Sequence, residues 1–255
     1  MTDLLRTYER GVLRVTLNRP EKRNTLTRAT LRELRVVFEA HAAQEDLRLA
    51  ILAGAGALAF CAGADLAELG AVETAAAAER YARDGMAALD ALRAFPVPTI
   101  AALNGVTLAE GAELALACDM RVAAHDARIG FVHASDHRLP GLGGATDLAR
   151  LVGLGCAIEL LATARRLAPA EAQALGLVNA VAAPESDFLE EVERFAAPVR
   201  EHHPHVLRAL KAFALGERFG AGFAERRERE VAEFVATWTH PAHQALLAEL
   251  RAGLE

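Results

Sequence analysis

Asn104-Gly105-Val106-Thr107-Leu108-Ala109-Glu110-Gly111-Ala112-Glu113-Leu114 follows, after about forty residues, the stretch Phe60-Cys61-Ala62-Gly63-Ala64-Asp65-Leu66. Each stretch is a turn of small residues that opens a helix. The first N–H groups of a helix have no intrahelical acceptor, so two such turns set face to face bring free donors to one point. Donors converging on one oxygen stabilise a developing oxyanion. The chemistry this pair of turns implies is acyl activation.

Around these turns the sequence alternates strands with helices. Val12 to Leu17 has period-two alternation and stops at Asn18-Arg19-Pro20, which predicts a strand and a turn. Thr27 is positioned to cap a helix through about Ala43, with Leu31, Leu34, Val37 and Phe38 on one stripe. Leu49 to Ala53 is a short apolar run of the buried-strand kind. The Ala-rich segment from Glu73 to Phe95 predicts a long helix, ended by Pro96 and Pro98. Strands follow at Thr99 to Leu103 and Met120 to Ala124. Between them Thr107 and Glu110 have capping-box spacing, which predicts a helix from about Leu108 to Ala117. Such alternation predicts an α/β core with mostly parallel pairing over residues 1–186. Residues 187–255 show only helical periodicity, with Phe188, Val192, Phe195, then Val206, Leu210, Phe213, then Phe223, Val231, Phe234 and Trp238 on apolar faces that need a partner.

Composition narrows the function classes. A chain of 255 residues with 53% apolar content supports a sizeable core. A formal charge of −6 argues against nucleic acid as a partner. The charged N-terminus and the absence of a long apolar run argue against a leader or a membrane span, and the expected location is the cytoplasm. Cys61, Cys118 and Cys156 are too scattered for a disulfide or metal framework and are expected as small buried residues. His202-His203-Pro204-His205 has no acidic or Cys partner at ligand spacing, so no metal is expected.

The two opening motifs resemble the signature segments of the enoyl-CoA hydratase/isomerase, or crotonase, superfamily. The resemblance extends from Asn18 to Leu26, through Pro140-Gly141-Leu142-Gly143-Gly144, to Ala168-Pro169-Ala170-Glu171-Ala172-Gln173-Ala174-Leu175-Gly176-Leu177-Val178. It implies an α/β crotonase-like spiral of β-β-α units with a C-terminal all-helical region, assembled as a homotrimer or a dimer of trimers. It further implies an acyl-CoA substrate, with coenzyme A as part of the substrate and no separate cofactor. By position, the N–H groups of Ala64 and Glu110 form the oxyanion hole. Glu113 matches the first hydratase carboxylate and serves as acid or base. Ala62, Gly63, Asp65, Leu66 and Gly111 line the substrate, and Lys22, Arg23 and Lys211 lie where basic groups meet the nucleotide end of coenzyme A.

Two positions depart from the hydratase pattern. His133 stands where the second carboxylate is expected, and an imidazole does not reproduce the charge or paired oxygens of a carboxylate. Glu110 replaces the usual glycine. Its N–H survives, but a carboxylate is added where negative charge is to accumulate, unless it folds back to the Thr107 amide as a capping-box partner. Asp136 and His137 are within reach to orient His133. The leading reading is reversible hydration of a 2-enoyl-CoA. The alternatives are an isomerase or a β-diketone-type C–C hydrolase using His133, and a non-catalytic acyl-CoA binder.

Overall fold

The computed structural model describes residues 2–252. The chain repeats a strand-strand-helix unit: β1 (Leu4–Glu9), β2 (Val12–Leu17) and α1 (Arg28–His41); β3 (Leu49–Gly54), β4 (Ala59–Cys61), α2 (Leu66–Gly70) and α3 (Ala75–Arg93); β5 (Thr99–Leu103), β6 (Val106–Leu108) and α4 (Glu110–Ala117); β7 (Met120–Ala123), β8 (Arg128–Gly130), α5 (Gly144–Val152) and α6 (Leu154–Thr163). Two short strands, β9 (Arg166–Leu167) and β10 (Ala180–Val181), flank α7 (Pro169–Ala174). Four helices then close the chain: α8 (Phe188–Glu201), α9 (Pro204–Arg218), α10 (Phe223–Trp238) and α11 (Pro241–Ala252).

The repeat divides its strands between two sheets. The larger runs β1-β2-β3-β5-β7-β10 and the smaller β4-β6-β8-β9. In the second, third and fourth units the first strand joins the large sheet and the second joins the small one, so the chain advances as a spiral. All pairings are parallel except β1 with β2 and β8 with β9.

Period-two alternation assigns side chains to the two faces of the large sheet. Leu13, Val15, Leu17, Ala50 and Leu52 enter the main core with Leu34, Phe38 and Phe95. Val12, Leu49, Ile51, Ile100 and Val122 point the other way and are covered by Val192, Ala196 and Phe195 of α8. The C-terminal helices therefore begin by closing the back of the sheet.

Three local details differ from the sequence expectation. β1 was not anticipated; it pairs with β2 through Arg10 and Gly11, both at positive φ (51° and 75°), the backbone a two-residue hairpin requires. The helix expected from Leu108 starts at Glu110, because Val106 to Leu108 pair with β8 as a strand. The capping box does not form: Thr107 Oγ1 donates to the Gly105 carbonyl, and α4 is entered through Ala109 without a side-chain cap.

Candidate active site

The small sheet positions the site. β4, β6 and β8 are parallel neighbours, and at their C-terminal ends the chain turns into residues 62–65, 109–113 and 131–138. The carboxyl ends of parallel strands are where open α/β sheets build ligand crevices. Gly111 permits the closest approach, since a Cβ there would overlap the carbonyl of Cys61. Ala64 is fixed from the other side by a bridge to Leu26, with the Leu26 amide donating to Gly63 O at 2.8 Å and the Asp65 amide to Leu26 O at 2.8 Å.

α4 is buried along its whole length and presents its N-terminus to the crevice. Ala109, just before it, has φ 49° and ψ −123°, a region that strains any residue with a Cβ. That strained turn aims the start of the helix.

Glu113, fully buried, is pinned by one oxygen. Its Oε1 accepts the amides of Leu142 at 2.8 Å and Gly144 at 2.9 Å. The loop carrying those amides is held by the buried Arg93, which donates to Leu142 O and to Asp147 Oδ2, each at 2.8 Å. Nothing in the sequence pointed to Arg93; its signal is a charge on the buried stripe of a long helix. The other oxygen, Oε2, lies 3.2 Å from Nε2 of the fully buried His133. The approach is close but poorly angled for a hydrogen bond, so Oε2 and both ring nitrogens of His133 are buried polar atoms without a hydrogen-bond partner among the described residues. A buried polar atom left unpaired is uncommon and calls for an explanation.

Glu110 does not fold back on Thr107. Its Oε2 accepts the Ala64 amide at 3.0 Å. The Ala64 N–H, one of the two assigned to the oxyanion hole, thus donates to a carboxylate of this chain. Arg138 completes the arrangement, donating to Oε1 at 2.5 Å and to Oε2 at 3.3 Å. Burial pushes the Glu110 carboxyl up, but Arg138, helped by His133, outweighs it and holds the group below the usual carboxylate value. A carboxylate oxygen of Glu110, one of Glu113 and a ring nitrogen of His133 lie within 4.8 Å of one another.

Other candidates fall into place or outside it. Ala62 and Gly63 line the turn, Gly63 at φ 119°. Asp65 is a structural group, capping α2 through the Ala67 amide and pairing with Arg19 at 2.9 Å. Leu66 is exposed, as are Lys22 and Arg23, which flank the Ala62 turn through the Ala62 amide to Arg23 O bond. The expectation for Lys211 is corrected: its Nζ is buried and bonds both Asp119 oxygens at 2.6 Å, which leaves no charge for a phosphate. Asp136 is exposed and reaches Arg138 rather than His133, and His137 is an exposed turn residue. Burial pushes the Cys61 thiol up to about 12, so it stays protonated at neutral pH and is no nucleophile.

The family model described as enoyl-CoA hydratase/isomerase matches residues 7–245. This chain belongs to the enoyl-CoA hydratase/isomerase family. It is 34% identical over 257 residues to a 2,3-dehydroadipyl-CoA hydratase of Escherichia coli, covering 98% of this chain and 96% of that one. It is 37% identical over 201 residues to a crotonyl-CoA hydratase of Syntrophomonas wolfei, covering 78% and 75% of the two chains. Among solved structures, an enoyl-CoA hydratase from Bacillus anthracis superposes with a TM-score of 0.91 at 30% identity, covering 99% of this chain and 97% of that one. Those likenesses bear out the crotonase-type spiral with helices at its C-terminal end.

Proposed function

We propose that the protein catalyses reversible addition of water to a 2-enoyl-CoA. The observation that carries this reading is Glu113, with one oxygen pinned by two amides and the other turned, without a hydrogen-bond partner, toward His133. The pinned oxygen fixes the carboxylate plane, and the free one is placed to take a proton from water as its oxygen attacks the β-carbon. Electrons move onto the thioester oxygen, where the Ala64 and Glu110 amides hold the enolate, each worth about 3 kcal/mol when well placed. The proton carried by Glu113 then passes to the α-carbon, so that H and OH are added across the double bond. His133 holds the water from its other side, the task a second carboxylate would have.

The substrate is read as a coenzyme A thioester, with no separate cofactor or metal. No helix among the described residues is long and apolar enough to cross a membrane. We read the cytoplasm as the site of action and a trimer or a pair of trimers as the assembly, which the unpartnered apolar faces of α9 and α10 support.

The test is loss of enoyl absorbance on incubation with crotonyl-CoA and longer homologues. Turnover is expected, with Glu113→Gln lowering kcat by about a hundredfold or more. A flat trace with every chain length removes the hydratase reading. If the acid/base work lay with His133 alone, as in an isomerase or C–C hydrolase, His133→Gln would abolish activity and Glu113→Gln would retain part of it.

A further inference from the structure

The Ala64 amide, one donor of the assigned hole, is already occupied. A carboxylate oxygen carries the charge, size and acceptor geometry of an enolate oxygen, and Glu110 places one on the Ala64 amide from its own side chain. It cannot stay when a thioester carbonyl arrives, because both need the Ala64 amide. The displaced carboxylate would be a costly buried charge unless it keeps partners.

Two partners are at hand. Arg138 grips both oxygens and is half-buried, so its guanidinium can follow the carboxylate a short way. Tyr81 on α3 has a buried hydroxyl with no hydrogen-bond partner among the described residues, and Glu110 and Arg138 are the charges that act on it most strongly. A buried O–H without an acceptor is destabilising. A carboxylate leaving the hole would supply the acceptor that this hydroxyl lacks.

Resting on the acyl-CoA reading of this site, we propose that Glu110 is a substrate-displaced plug of the oxyanion hole, held by Arg138 at rest and received by the Tyr81 hydroxyl when a thioester carbonyl takes its place. The plug sets specificity. A ligand with a carbonyl at the hole must compete with a tethered carboxylate, and its apparent affinity is reduced by the fraction of molecules that are open. A ligand that does not use the hole is indifferent to it. Glu110 and Tyr81 are positioning residues here; neither forms a bond to the reacting carbons.

The experiment is calorimetric titration of the full-length protein, its Glu110→Gly and Tyr81→Phe variants and the double variant, with acetoacetyl-CoA and with free coenzyme A. Acetoacetyl-CoA offers an enolisable thioester to the hole, while coenzyme A has no carbonyl there. Glu110→Gly is expected to bind acetoacetyl-CoA about tenfold or more tightly than the parent, with coenzyme A affinity changed by less than about twofold. Tyr81→Phe is expected to weaken acetoacetyl-CoA alone, and that loss is expected to vanish in the double variant, where no carboxylate needs receiving. Equal affinities in parent and Glu110→Gly overturn the plug, as does a Tyr81→Phe effect that persists without Glu110. These outcomes are separate from the fate of the hydratase reading: parent turnover with unchanged affinities sinks the plug alone, and absent turnover with the expected ratios sinks hydration alone. Absence of binding by either ligand removes both.

Discussion

Glu113 is useful only while its carboxylate stays in one orientation, and that orientation depends on a neighbouring residue having no side chain. A Cβ on Gly144 would lie 2.8 Å from Oε1 of Glu113 and overlap its Cγ. Gly144→Ala is therefore expected to turn the carboxylate off its two amides. A displacement of about 1 Å at a catalytic group costs on the order of a hundredfold in rate, so kcat should fall by about that factor while the cooperative melt survives. Gly111→Ala provides the contrast, because its Cβ would overlap the backbone carbonyl of Cys61, which cannot move independently of β4. That variant is expected to lose more than about 3 kcal/mol of stability in denaturant titration. Comparable stability losses with unchanged kcat in both would show that Gly144 serves packing alone. At this scale the sequence carried much of the site. Glu113, His133 and the two amides sit in local motifs whose spacing is rigid. Arg138, Arg93 and the direction of the Glu110 side chain were not legible, because each is decided by contacts between segments about thirty to fifty residues apart.

The helices and long strands were legible because their signals are local. Thr27 and Thr74 accept amides from Thr30 and Ala77 at the starts of α1 and α3, as cap chemistry requires. The start of α4 was misread because a capping-box pattern competed with strand pairing. The paired neighbour β8 won, and no periodicity announces a three-residue strand. A second feature of the elements appears only in three dimensions. His203 and His205 at the start of α9 meet His240 between α10 and α11, with the His205 and His240 rings stacked at 3.7 Å and 9°. Burial first, and then the charge of His240, lowers the pKa of both His203 and His205 from the ordinary 6.5. In the unfolded chain these groups take up protons at higher pH than in the fold. The stability they contribute is thus fully present above about pH 6.5 and is lost as pH falls through their lower folded values. The join between α9 and α11 is expected to loosen on acidification before the core does. Amide exchange at residues 238–243, corrected for intrinsic pH dependence, should accelerate between about pH 7 and 5.5 relative to α4, and His205→Asn should flatten that dependence. Parallel curves for the two regions would exclude it.

At the scale of the whole molecule, burial is uneven. The spiral encloses its core on both faces of the large sheet, whereas α10 has no fully buried residue in sixteen. Leu210 and Phe213 of α9 and Phe234 of α10 line one groove, and Phe223, Val231 and Trp238 extend the exposed apolar surface along α10. An amphipathic helix this exposed on its apolar side covers something other than its own core. The sequence showed that these stripes need a partner. It could not show whether the partner was the core or another subunit, since periodicity records that a face is apolar and not what lies against it. α8 took the first option and closed the sheet; α9 sends Leu207 into the core, while Leu210, Phe213 and the apolar side of α10 stay exposed. Self-association through this face is expected to give sedimentation masses at three or six times 27.2 kDa. Phe213→Asp combined with Phe234→Asp would put two charges into the groove and should yield a monomer with an unchanged far-ultraviolet spectrum, because neither side chain belongs to the buried core. A parent chain that sediments at 27.2 kDa at all concentrations would show that the face is not a subunit contact.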